Sequence, residues 1–211
     1  MKTTVMPEPS KRRLVLLGRL LSTYKEKTIT SQKIQELTGW SSAAIRRDIA
    51  MLDLHCGASN GYKVPELKEA LQALVCTASE RQKCCIIGLN RMGQVLLDNN
   101  ELYDSPFKIV AGFDSNVNRT EVLQSSFPLH PTTLLESIIK SEGIQYAILT
   151  ADGEEAQSLA ARLAQCGIKG IVNYTSCVLT LPKSVSVENV CLLTALENLS
   201  AGNNSCTEQL K

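Results

Sequence analysis

Apolar positions recur at two different spacings along this chain. From Arg12 to Tyr24, Leu14, Leu17, Leu20 and Leu21 fall on one face at helical period. The stretch before it, Met1–Ser10, carries Pro7 and Pro9 and reads as a loose arm. A second helix is predicted over Gln32–Thr38, capped by Thr30 or Ser31, with Ile34 and Leu37 turned inward. Gly39-Trp40 makes a turn, and Ser41 or Ser42 caps a third helix over Ala43–Leu54. Gly57–Val64, with glycines at both 57 and 61, reads as a hairpin, and Pro65–Leu74 as a short helix leading to a linker at Thr77–Gln82.

Beyond the linker the pattern changes to short apolar runs separated by helical segments. Cys84–Ile87 is a run too short for a helix, followed by Gly88, a helical segment from Gln94, and a second run, Lys108–Asp114. Asn116–Ser126 reads as polar loop and helix, Thr132–Glu142 as a helix, Gln145–Thr150 as a strand and Glu154–Gln165 as a helix that Gly167 stops. Ile171–Asn173 and Val187–Val190 are further strands; Leu192–Leu199 begins a last helix, and 201–211 reads as a frayed polar tail. Strands alternating with helices over short connections predict a doubly wound parallel sheet. The fold class is therefore α/β: an N-terminal winged helix-turn-helix domain (1–76), then a Rossmann-like domain with a C-terminal helix (77–200), then the tail (201–211).

Two segments carry candidate chemistry. In the first, two helices meet at a glycine turn, and the second opens with Ser41-Ser42 and continues Ile45-Arg46-Arg47-Asp48. In a helix-turn-helix the second helix enters the major groove and its early residues reach bases or phosphates. Ser41, Ser42, Arg46 and Arg47 are the main candidates for DNA contact, with Lys33, Tyr62 and Lys63 beside them. In the second, Gly88-Leu89-Asn90-Arg91-Met92-Gly93 links strand to helix as in dinucleotide-binding folds. There the first glycine makes the tight turn, the last lets the helix approach the sheet, and the helix N–H groups face a pyrophosphate. Asp114 follows at roughly the 20-residue distance of an acid that takes ribose hydroxyls. These seven positions are the candidate contacts for NAD(H). The middle glycine is replaced by Asn90, at the point where backbone and pyrophosphate must come closest.

Charge sharpens this division. Net charge is +1, but residues 1–76 hold 12 Lys and Arg against 7 Asp and Glu, and the remainder 10 against 14. A basic front and an acidic back point to a polyanion partner for the N-terminal part. The eight cysteines show no metal-ligand spacing and read as reduced thiols, with Cys84 and Cys85 as small apolar residues of a buried strand. No run approaches the roughly 20 apolar residues of a membrane span, and Met1–Ser10 lacks the apolar core of a signal peptide; a cytoplasmic protein is expected.

Taken together, Ile45–Asp48, Gly61-Tyr-Lys-Val64, Gly88–Gly93, Phe113-Asp114, Gly167–Asn173 and Val187–Val190 resemble the redox-sensing transcriptional repressor (Rex) family over roughly residues 10–200. The resemblance implies a homodimer with exchanged C-terminal helices that represses genes of anaerobic or fermentative metabolism. It implies release from operator DNA by NADH and a DNA-bound form favoured by NAD+. It also implies that the wing arginine of such proteins is replaced here by Ala58. Their redox switch uses an arginine of the first helix, a tyrosine after the nucleotide-binding helix and a C-terminal aspartate. Arg19 matches the first, whereas Asn99 and Cys191 stand for the other two. An ion-pair switch cannot run with one charge gone, so a weakened or lost NADH response is expected.

Two other functions compete. A dimeric scaffold that has lost its ligands would keep the fold without the contacts. An NAD-dependent oxidoreductase would need a substrate domain and an acid/base group, yet too little chain follows Asp114, and the two histidines, His55 in the winged domain and His130 in a loop after Pro128, are poorly placed for it. No catalytic or metal-binding residue is predicted.

Overall fold

A computed structural model of the protein describes residues 6–52, 61–75, 81–97, 105–151 and 153–204. The chain divides into two compact units, 1–79 and 80–211.

The first unit runs α1 (Glu8–Thr23), β1 (Thr28–Ile29), α2 (Ser31–Thr38), α3 (Ser42–Ala50), β2 (Tyr62–Lys63) and α4 (Val64–Val75). The expected loose arm is already helical at Glu8. Pro7 is the N-cap and Pro9 lies in the first turn, where a fixed φ and a missing N–H cost nothing. Leu14, Leu17 and Leu21 of α1 pack with Ile34 of α2, Ile45 and Ile49 of α3, and Val64, Leu67 and Leu71 of α4 into one core. Of the predicted 57–64 hairpin, 57–60 lie outside the described residues; β2 pairs with β1, Thr28 opposite Lys63 and Ile29 opposite Tyr62. Residues 53–60, including the predicted end of α3, His55 and Ala58, lie outside the described residues. Gly61 holds the entry to β2 at φ +84°, and a Cβ there would meet the Ile29 carbonyl oxygen at 2.9 Å.

The second unit is a six-stranded, all-parallel sheet. Its strands are β3 (Gln82–Ile87), β4 (Phe107–Asp114), β5 (Leu129–Pro131), β6 (Tyr146–Leu149), β7 (Gly170–Asn173) and β8 (Ser186–Asn189), ordered β5-β4-β3-β6-β7-β8. This is the doubly wound order, whose direction reverses between β3 and β6. The connecting helices are α5 (Arg91–Leu97), α6 (Val117–Val122), α7 (Leu135–Glu142) and α8 (Gly153–Gln165). Side-chain alternation along β3 divides the core: Cys85 and Ile87 pack with Leu135, Ile139, Leu159 and Leu163 of α7 and α8. Ile86 packs on the other face with Leu96 and Leu97 of α5. Both faces of the sheet are covered, which is why its central strands read as unbroken apolar runs.

Three details differ from the pattern read in the sequence, and one sharpens it. His130 lies in β5, not in a loop, with its ring 5.8 Å from that of Phe113; a three-residue strand is too short to show alternation. The predicted Thr132 helix opens with a 3-10 turn and becomes α-helical only at Leu135. The segment after β4 is helical only over Val117–Val122. The last helix, α9, runs Leu192–Asn204 and so takes in the start of the expected tail. Leu192, Leu193, Leu196 and Leu199 of α9 are each more than half exposed. Among the described residues, no helix is long and apolar enough to cross a membrane.

Candidate functional site

In the first unit, sequence chemistry fixes the turn between α2 and α3. Thr30 caps α2 by accepting from the Lys33 N–H at 3.0 Å. Gly39 ends that helix in the left-handed region at φ +74°, its N–H donating to the Gln35 carbonyl. Ser41 caps α3 by accepting from the Ala44 N–H. Ser42 is held sideways: its N–H and hydroxyl both donate to the Gln35 side-chain carbonyl, at 2.9 and 2.6 Å. Its hydroxyl therefore braces the two helices, and Ser41 is the more exposed of the pair.

Arg46 and Arg47 stand exposed on α3. The Arg46 Nε donates to the Ser42 carbonyl within the helix, and neither arginine forms an ion pair among the described residues. Lys33 and Lys63 differ: each meets a glutamate three residues on, Glu36 at 3.1 Å and Glu66 at 2.6 Å. Tyr62 is half-buried against the core. The sequence reading missed what holds α3. Asp48, 2% exposed, takes a two-point grip from Arg13 of α1, with Nε to Oδ2 at 2.7 Å and Nη2 to Oδ1 at 3.1 Å. Burial pushes its carboxyl up, but hydrogen bonds from Arg13 and Ser10 outweigh it and hold the pKa below the ordinary value.

In the second unit, the reversal of strand order opens a crevice at the carboxyl ends of β3 and β6. A cleft of about 250 Å³ there is lined by Gly88, Asn90, Asp114, Arg119, Ala151 and Glu155, among others. The two glycines are required by contact. Gly88 has φ +97°, and a Cβ on it would run into the backbone of Ala151; a Cβ on Gly93 would overlap the Gly88 carbonyl oxygen. Thr150, buried at the end of β6, ties the turn down by donating its hydroxyl to the Gly88 carbonyl at 2.6 Å. Leu89 is fully buried, whereas Arg91 and Met92 are exposed.

Asn90 does more than crowd the turn. It precedes Arg91, the first residue of α5, and its Oδ1 accepts from the Met92 and Gly93 N–H groups at 3.1 and 3.2 Å. Its Nδ2 donates to the Thr150 carbonyl. The helix N–H groups that would face a diphosphate are thus capped from within the chain.

Asp114 is 2% exposed, and its carboxylate is already engaged. Oδ2 accepts from the Leu89 N–H at 2.5 Å and Oδ1 from the Asn116 N–H at 2.7 Å. Arg119 reaches Oδ2 at 3.4 Å. Asp114 therefore holds the turn as well as facing the cleft. The turn and the acid of a dinucleotide site are present, but the diphosphate position is filled, so these residues do not fit that part of the ligand as they stand. Thr150, Ala151, Arg119 and Glu155 were not singled out in the sequence. The first two were within reach, because β6 neighbours β3 at the reversal point of a doubly wound sheet.

Arg19 is exposed on α1 and makes no ion pair among the described residues, and Asn99 lies outside them. Cys191 precedes α9. Hydrogen bonds from the Thr194 side chain and N–H, and from the Leu193 N–H, hold its thiol below the usual value. Cys84 and Cys85 are buried, and burial pushes the Cys84 thiol up to about 11. Among the described residues there is no cluster of metal-ligating groups.

Comparison with known proteins places both parts. A family model described as "Putative DNA-binding protein N-terminus" matches residues 5–50, and one described as "CoA binding domain" matches 79–177. The redox-sensing transcriptional repressor Rex of Oenococcus oeni is 30% identical over 204 residues, covering 93% of this chain and 92% of the relative. That of Listeria welshimeri is 29% identical over 201 residues, covering 94% and 93%. Among solved structures, RSP bound to NAD+ and operator DNA superposes with a TM-score of 0.86 at 26% identity, covering 99% of this chain and 98% of RSP. RSP bound to NADH gives 0.83 at 27% identity, covering 99% and 100%. The chain belongs to the Rex family of redox-sensing transcriptional repressors.

Proposed function

We propose that this protein is a transcriptional repressor that binds operator DNA as a homodimer and carries an NAD(H)-type cleft with a weakened grip on its ligand. The observation that carries this reading is α3, capped by Ser41 and presenting Arg46 and Arg47 unpaired, on a chain that aligns end to end with a repressor solved on operator DNA. In this reading residues 1–76 bind DNA, 77–200 bind nucleotide and dimerise, and 201–211 form a tail. Arg46 and Arg47 reach bases or phosphates, and Ser41, Lys33, Tyr62 and Lys63 lie along the flanking backbone. The exposed leucines of α9 suit a helix exchanged with a second copy. Members of this family are regulators, and no reaction is assigned to the cleft. As a regulator of metabolic genes the protein works in the cytoplasm.

The cofactor-facing set is Gly88, Leu89, Asn90, Arg91, Met92, Gly93 and Asp114, with Arg19, Asn99 and Cys191 at the positions of the redox switch. Selection from a random duplex library followed by anisotropy titration tests the DNA reading. Enrichment of an inverted repeat with half-sites one or two helical turns apart is expected. A pool that never enriches would contradict it.

A further inference from the structure

We propose that the Asn90 carboxamide is a built-in occupant of the diphosphate position, so that the diphosphate of a dinucleotide contributes nothing to binding in this chain. The inference rests on reading the cleft as a nucleotide site and deepens it by naming the part of the ligand that is refused. In a doubly wound fold, helix N–H groups left without partners at this turn are what an anionic diphosphate satisfies. Here the Met92 and Gly93 N–H groups already donate to Asn90 Oδ1. The same side chain is fixed at its other end, because Nδ2 donates to the Thr150 carbonyl. Turning Asn90 aside would free two donors for phosphate oxygens. It would also strip the Thr150 carbonyl of that donor and leave this acceptor beside an anion, a loss the ligand cannot repair.

The rest of the cleft gives an anion little help. Glu155 lines it, and Arg119 is drawn to the Asp114 carboxylate. What remains at the reversal point is a turn capped by Asn90 beside Asp114, Arg119 and Glu155, a place for a nucleoside moiety without its phosphates.

Calorimetric titration of the full chain with NADH, ADP-ribose and adenosine decides the matter, run on wild type and on Asn90→Gly. In wild type, NADH and ADP-ribose should bind less than about tenfold tighter than adenosine, or like it escape detection. In Asn90→Gly, NADH and ADP-ribose should gain about tenfold or more while adenosine stays unchanged. Asn90→Ala, which removes both the cap acceptor and the donor to Thr150, is read by the same threshold if the glycine variant does not fold. Wild type binding NADH tenfold or more tighter than adenosine would overturn the proposal. So would a folded variant whose affinity for the diphosphate ligands does not rise. Anisotropy with the selected duplex on the same samples separates this from the repressor reading, since loss of DNA binding there would count against the latter alone.

Discussion

Arg13 and Asp48 join α1 to α3 by a two-point ion pair on a carboxylate that is almost fully buried. The acid of the Ile45-Arg-Arg-Asp48 segment therefore anchors the helix whose two arginines face outward. Breaking a buried pair by removing one partner costs about 3–5 kcal/mol. Arg13 keeps some contact with water, so Asp48→Ala should fall at the lower end, about 3 kcal/mol, measured by urea unfolding of the first unit's signal. Asp48 has a folded-state pKa below its unfolded value. Its stabilisation is therefore complete above the unfolded value of about 4 and is lost as pH falls through it toward the folded one. Wild type should lose stability across that acid window, and Asp48→Ala should lose less over the same range.

Arg46 and Arg47 should matter more to DNA than the lysines beside them. Neither arginine is ion-paired, whereas Lys33 and Lys63 are held by Glu36 and Glu66. Arg46→Ala with Arg47→Ala should weaken operator binding by about 1–3 kcal/mol for each arginine that reads a base. An arginine that touches phosphate instead should lower the salt slope by about 1. Lys33→Ala should change affinity by less than either. Equal losses at all three positions would mean that α3 is not the reading helix.

Gly88 and Gly93 are irreplaceable for different reasons. Alanine at 88 must take a left-handed φ against the backbone of Ala151, and alanine at 93 meets the Gly88 carbonyl. Overpacking against backbone costs about 1–3 kcal/mol, and the left-handed φ adds about 1–2 at position 88. Gly88→Ala should therefore lower the thermal midpoint of the second unit further than Gly93→Ala. A midpoint unchanged by either would contradict the packing described here.

Much of this was legible in the sequence because period carries it. Leu14, Leu17 and Leu21 announce a helix face, and the unbroken run Cys84–Ile87 announces a strand covered on both sides. Cap chemistry marked Ser41, and glycine chemistry marked Gly88 and Gly93. What could not be read were pairings distant in the chain, such as Arg13 with Asp48 and β1 with β2, because two residues of strand carry no alternation. Asn90 was legible as a missing glycine but not as a cap. Its role depends on the Thr150 carbonyl, which the sheet order alone brings within reach. Arg119 was likewise silent, since one arginine in a short polar helix has no spacing to mark it.

We predict that this chain holds operator DNA with little regard to nucleotide. Arg19 has no charged partner among the described residues, the family resemblance puts the Cys191 thiol where an acid is expected, and Asn90 caps the turn that a diphosphate would use. A ligand shifts an equilibrium only by its differential affinity for the two states. Operator anisotropy with saturating NAD+, then NADH, then neither tests this most directly. The predicted result is tight, salt-sensitive binding that differs by less than about tenfold, or 1.4 kcal/mol, among the three conditions. Release of the operator by low NADH, with NAD+ inert, would contradict it.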